Sequence, residues 1–137
     1  MKSHRILVVD DEPALRRALE RALRSQQYEV VTVADPNSAY QMLGDSSFDL
    51  VLLDLRLPQM AGDTFFLAIV RHWPRLLGRV ILMTGDQLQP EPDWPVELAG
   101  CPVLHKPFTL DTLMKTVGQV LADAEPDSDL LQGNGNP

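Results

Sequence analysis

The sequence predicts an α/β fold: a single doubly wound, five-stranded parallel sheet with helices on both faces. Three observations predict it. Short apolar runs recur at Arg5 to Val9, Tyr28 to Val33, Phe48 to Leu53, Val80 to Met83 and Pro102 to His105. Between them lie stretches whose apolar residues follow helical spacing, and strands alternating with helices mean a parallel sheet wrapped on both sides. The run Leu50-Val51-Leu52-Leu53 is continuously apolar, as a strand buried on both faces requires.

Taken in order, Arg5-Ile6-Leu7-Val8-Val9 is the first strand and ends at Asp10-Asp11-Glu12. Pro13 suits the first turn of a helix, where its missing N–H costs nothing. The three acids ahead of that turn favour the helix dipole. Leu15, Ala18, Leu19, Ala22 and Leu23 form an apolar stripe to about Ser25. After the second strand, Pro36-Asn37-Ser38 opens a helix with Ala39, Met42 and Leu43 apolar, and Gly44-Asp45-Ser46-Ser47 is turn chemistry. The third strand ends in Asp54, and Pro58 breaks the chain. Gly62-Asp63-Thr64 starts a third helix through Phe65, Phe66, Ile69 and Val70, limited by Pro74. The fourth strand runs into Thr84-Gly85-Asp86. A fourth helix is expected next, shortened or irregular, because Pro90, Pro92 and Pro95 crowd Gln87 to Gly100. The fifth strand ends at Lys106-Pro107. Thr109 caps a last helix carrying Leu110, Leu113, Val117, Val120 and Leu121.

The 137 residues predict one folded domain over 1–123 and an acidic flexible tail or linker stub over 124–137. The last fifteen residues carry Asp123, Glu125, Asp127 and Asp129 and no base. Removing those four from the 19 acids leaves 15 against 12 bases, whereas the whole chain stands at −7. That balance argues against direct nucleic-acid binding, which needs clustered Lys and Arg. No apolar run reaches the ~20 residues of a membrane span, and the N-terminus lacks the apolar core of a signal peptide. A cytoplasmic location without membrane insertion is the expectation. The single Cys101 reads as a small buried filler.

The strand ends carry the chemistry. Asp10 and Asp11 follow the first strand, Asp54 the third, Thr84 and Gly85 the fourth, Lys106 the fifth. All fall at the carboxyl edge of a parallel sheet, where ligands bind in such folds. Three converging carboxylates repel one another unless a cation joins them. Hard oxygen donors without His or Cys suit Mg²⁺. Lys106 adds a movable positive charge, and the Thr84 hydroxyl and Gly85 amide add short donors. This is equipment for phosphoryl transfer to a carboxylate. Taken singly, each feature has an ordinary explanation as a helix N-terminus, a loop acid, a turn or a solvated loop. Their joint position disfavours that set.

The sequence resembles the receiver domain of two-component response regulators over residue 5 to about 122. The resemblance rests on Val8-Val9-Asp10-Asp11-Glu12-Pro13, Leu53-Asp54-Leu55-Arg56-Leu57-Pro58 with Gly62 eight residues after Asp54, Met83-Thr84-Gly85, and Lys106-Pro107-Phe108. It implies the strand order 2-1-3-4-5 of chemotaxis regulators. It implies that Asp54 takes a phosphoryl group from a histidine kinase or a histidine phosphotransfer protein. It further implies that Asp11 holds Mg²⁺ directly, Asp10 does so mainly through water, and the Arg56 backbone carbonyl is another ligand. Lys106 would pair with the phosphoryl group, Gly85 would contact it, and Thr84 would move onto it to switch binding of a downstream protein. Lys106-Pro107 would be a cis peptide.

Three features depart from the family pattern. Val103 stands where many members carry Tyr or Phe. The proline-rich stretch resembles receivers attached to hybrid histidine kinases. Arg56 and Asp86 flank the path of the hydrolytic water in this family, and an ion pair between them is weighed against two independent exposed charges. Arg17, Arg21 and Arg24 line one helical face, a solvated face first and a kinase contact second. Trp73 and Trp94 read as partial core or lid, and His4, His72 and His105 carry no metal spacing. A Mg²⁺-dependent aspartate-nucleophile phosphohydrolase is the rival enzyme reading, but it needs an acid where Arg56 stands. A receiver-like module that binds without phosphorylation is the rival interaction reading. The expectation is a phospho-accepting receiver, with no output domain in this chain, that catalyses only its own phosphorylation and dephosphorylation.

Overall fold

The computed structural model describes residues 3–56, 62–85, 98 and 100–123. Its elements are β1 (Arg5–Val9), α1 (Pro13–Ser25), β2 (Glu29–Val33), α2 (Pro36–Asp45), β3 (Leu50–Asp54), α3 (Gly62–His72), a 3-10 turn (Pro74–Leu76), β4 (Val80–Thr84), β5 (Val103–His105) and α4 (Leu110–Asp123). The strands form one parallel sheet in the order β2-β1-β3-β4-β5, as expected. The irregular fourth helix expected after β4 falls mostly on residues outside the described ones. So do Pro58, Asp86, Trp94 and the acidic tail.

Alternation along each inner strand explains the layering. Side chains on a strand point to opposite faces in turn. Leu7 and Val9 of β1, with Val51 and Leu53 of β3, pack against Ala39 and Leu43 of α2 and Phe65, Phe66 and Ile69 of α3. Ile6 and Val8, with Leu50 and Leu52, pack on the other side against Leu19 and Leu23 of α1 and Leu113, Val117 and Leu121 of α4. Every residue of β3 and β4 is buried. The continuous apolar runs are therefore core on both faces, each large side chain contributing about 1.5–3 kcal/mol.

Local chemistry sets the helix boundaries. Pro13 occupies the first turn of α1 as expected, but the Glu12 side chain makes no cap. Its N–H instead donates to Asp10 Oδ1 at 2.8 Å. Asp35 caps α2, accepting from the Ser38 N–H at 2.8 Å. Thr109 accepts from the Thr112 N–H at 3.0 Å, the expected cap of α4. Pro74 follows the end of α3 and opens the 3-10 turn. Gly78 leads into β4 with φ +85°, a conformation that suits glycine.

Four details differ from expectation, the first being Leu110, which is 58% exposed in the first turn of α4, off the buried stripe of Leu113, Val117, Val120 and Leu121. Ala18 is exposed, because it lies one step beyond Ala22, which already marks the edge of the buried stripe. Gly44 and Asp45 belong to α2 rather than to the turn. The helix holds until Ser46 goes extended, with the Ser46 N–H on the Met42 carbonyl at 3.0 Å. The third strand pairs from Leu50 rather than Phe48 and includes Asp54; Phe48 is buried ahead of it.

Leu52→Ala should cost about 2–5 kcal/mol, because Leu52 is wholly buried beneath two helices. Asp35→Ala should cost about 1 kcal/mol through the lost cap. Urea unfolding followed by circular dichroism checks both.

Candidate functional site

The sheet register brings the strand ends level. Val9 lies beside Leu53, Asp54 beside Met83, and Thr84 beside His105. Asp10 therefore emerges next to Asp54, and Lys106 next to Thr84. Two main-chain bonds fix these exits. The Asp10 N–H donates to the Val33 carbonyl at 3.1 Å, and the Lys106 N–H donates to the Thr84 carbonyl at 2.7 Å. The Lys106-Pro107 peptide is cis.

Carboxylate oxygens of Asp10, Asp11 and Asp54 lie within 4.8 Å of one another. Asp10 is completely buried, Asp54 is 3% exposed and Thr84 2% exposed; Asp11 and Gly85 are exposed at the mouth. Lys106 Nζ is the counter-charge. It lies 2.9 Å from Asp10 Oδ2, 3.4 Å from Asp54 Oδ2 and 3.4 Å from Glu12 Oε1. Asp54 Oδ1 accepts from the Arg56 N–H at 2.9 Å. One lysine thus answers to three acids, with Asp11 beside them, and the site is left with excess negative charge.

That excess shows in the ionisation. Burial raises the pKa of Asp54 above the ordinary 3.8, and the Asp10 charge adds to it. The Arg56 N–H and the Lys106 ammonium offset only part of this. Burial alone would lower Lys106, but its hydrogen bond to Asp10 and the charges of Asp10 and Asp54 outweigh that, so its pKa stands raised. Lys106 is accordingly a fixed positive charge at neutral pH.

Every predicted site residue reaches this one edge, with Arg56 at its exposed rim. Two contributors escaped the sequence reading. Glu12 was visible only as a helix-dipole acid, yet it reaches Lys106. Arg16 Nη1 donates to the Asp10 carbonyl at 2.7 Å, a contact across six residues that periodicity does not signal. Cys101 is partly buried and packs on the core, and burial pushes its thiol up to about 11, which fits a filler. Trp73 packs at the edge of the core beside Tyr40 and His72. Arg17, Arg21 and Arg24 are exposed, the last paired with Glu20 at 2.9 Å. The Arg56–Asp86 pair lies outside the described residues on its Asp86 side.

Residues 6–118 match the family model of the response regulator receiver domain. The chain belongs to this family. Among curated relatives, the response regulator receiver protein CpdR of Brucella abortus is 32% identical over 123 residues, covering 88% of this receiver and 98% of CpdR. The transcriptional regulatory protein GlrR of Escherichia coli is 30% identical over 128 residues, covering 93% of this receiver. This receiver spans only 28% of the length of GlrR. The crystal structure of the response regulator TrrA from Thermotoga maritima in complex with Mg²⁺-BeF superposes with a TM-score of 0.72 at 27% identity, over 85% of this receiver and 98% of TrrA.

The raised Asp54 pKa makes a prediction about stability. A carboxyl raised in the fold adds stability below its ordinary value of 3.8, and that stability is lost as pH rises through the folded value. Ionised Asp54 therefore costs stability at neutral pH. In metal-free buffer, Asp54→Asn should melt a few degrees above wild type at pH 7, with the gap closing below about pH 4. Calorimetric scans across pH check the sign.

Proposed function

We propose that this receiver accepts a phosphoryl group on Asp54 from the phosphohistidine of a histidine kinase or histidine phosphotransfer protein, and that the new charge switches binding of a downstream protein. The observation that carries this reading is the convergence of the Asp10, Asp11 and Asp54 carboxylates within 4.8 Å, with Lys106 Nζ held against two of them. An Asp54 oxygen forms the new P–O bond as the P–N bond to the partner's imidazole breaks. With the donor's other ring nitrogen carrying a proton, the products are an acyl phosphate and a neutral imidazole. Asp54 is exposed just enough to meet the incoming phosphorus, and the Arg56 N–H on Oδ1 orients its carboxylate. Lys106 can follow the charge onto the phosphoryl oxygens without leaving the edge. Thr84, one residue before Gly85 and bonded through its carbonyl to Lys106, would bring its hydroxyl and its loop towards the group, with Gly85 contacting it.

The donor set fits Mg²⁺. All three converging groups are carboxylates, no His or Cys joins them among the described residues, and one of them is open to solvent. Asp11, Asp54, the Arg56 backbone carbonyl and, through water, Asp10 would hold the ion. When bound it supplies positive charge that offsets the acids and the phosphoryl oxygens. The Mg²⁺-BeF complex of TrrA supports this assignment.

On this reading the receiver unit spans residues 1–123, acts in the cytoplasm and catalyses only its own phosphorylation and dephosphorylation. Among the described residues, no helix is long and apolar enough to cross a membrane. The phosphohydrolase reading lacks its general acid, since Arg56 occupies that position. Val103 packs half-buried beside Leu82; a valine has no ring to swing, so coupling from Thr84 to partner surfaces would run without an aromatic rotation.

Incubation with acetyl phosphate and Mg²⁺ should add one phosphoryl group to the intact mass. Asp54→Asn and EDTA should each abolish the adduct, and Lys106→Ala should reduce its formation at least tenfold. An adduct that persists in Asp54→Asn would move the acceptor elsewhere.

A further inference from the structure

The phosphoryl chemistry proposed above makes no use of Arg16, a half-buried residue on the second turn of α1. Its guanidinium nevertheless reaches back to the main-chain carbonyl of Asp10 at 2.7 Å. Asp10 is completely buried, and its four hydrogen-bonding groups are all engaged. The N–H goes to Val33 at 3.1 Å. Oδ1 takes the Glu12 N–H at 2.8 Å. Oδ2 takes Lys106 Nζ at 2.9 Å. The carbonyl takes Arg16. A carbonyl that leaves the ladder at the end of a buried strand needs a partner, and here the partner is a charge-assisted donor from the next helix.

We propose that Arg16 is a positioning residue for the acid cluster. It pins the turn Asp10-Asp11-Glu12 so that the Asp10 and Asp11 carboxylates stay within ligand distance of Asp54. Two features single out this clasp. Asp11 is exposed, so its place depends on the backbone of its two neighbours, and both neighbours are held by Asp10's own bonds. The carboxylates also repel one another, which pushes the turn outward. A cation on the carbonyl at their base opposes that push without occupying any ligand oxygen. The role of Mg²⁺ here rests on the phospho-accepting reading, while the geometry of the clasp does not.

The test uses the full chain with Arg16→Met, and with Arg16→Gln should the first variant melt below the assay temperature. In metal-free protein, hydrogen exchange at the Glu12 amide should quicken roughly tenfold, the effect of losing one charged hydrogen bond. In Mg²⁺ titration calorimetry the half-saturation concentration should rise roughly tenfold, the scale seen when a ligand's supporting bond is removed. Labelling by acetyl phosphate at saturating Mg²⁺ should change far less than its Mg²⁺ dependence. Arg16→Lys, which keeps the charge, should recover part of both effects. A folded Arg16→Met protein with wild-type exchange at Glu12 overturns the proposal, whatever the metal titration shows. Absence of a phosphoryl adduct in the wild type would count against Asp54 as acceptor only, because the exchange measurement decides Arg16 on its own.

Discussion

The contact between Lys106 and the buried Asp10 is the interaction on which the site depends. It spans 96 residues of sequence and joins the end of the edge strand β5 to the end of the inner strand β1. Without a cation, Asp10 and Asp54 would be two buried like charges at neighbouring strand ends, an arrangement the low-dielectric interior penalises by several kcal/mol. The lysine makes their co-burial tolerable. It does not neutralise the cluster, because Asp11 and Glu12 remain in excess. On the proposed function, that excess is what a bound Mg²⁺ would offset and what an arriving phosphoryl group would redistribute.

The same lysine holds the two buried carboxylates at different distances. Asp10 is held by Lys106 at 2.9 Å and by the Glu12 N–H. Asp54 has the same lysine at 3.4 Å and one main-chain donor. Both carboxylates are thus held on both oxygens, but Asp54 has the longer lysine contact, and burial leaves its pKa raised. On the proposed function, the carboxylate with the longer lysine contact would be the one to form the new bond.

Most of the fold was legible because each strand obeys a simple rule. Leu50 to Leu53 are apolar without interruption, and they are core on both faces. Pro13 and Thr109 mark helix starts by chemistry that needs no tertiary context. The juxtaposition was legible because a parallel sheet sends the carboxyl ends of its strands to one edge, so Asp10, Asp54, Thr84 and Lys106 had to share that edge once the strands were placed. What escaped depends on reach and on rotation about a helix axis. Arg16 to the Asp10 carbonyl is set by a long side chain folding back over a turn. The exposure of Ala18 follows from a few tens of degrees around α1, finer than an apolar count resolves.

The burial of β3 and β4 on both faces has a mechanical consequence. A strand clamped between two layers of close-packed side chains cannot tilt or slide without opening voids on one side and clashes on the other. Charge arriving at Asp54 therefore meets a stiff floor. Whatever displacement it causes must be taken up by the rim, where Gly85 and Pro107 are exposed. On the proposed function the sheet would act as an anvil, and the message would leave the molecule sideways, through the turns at its carboxyl edge.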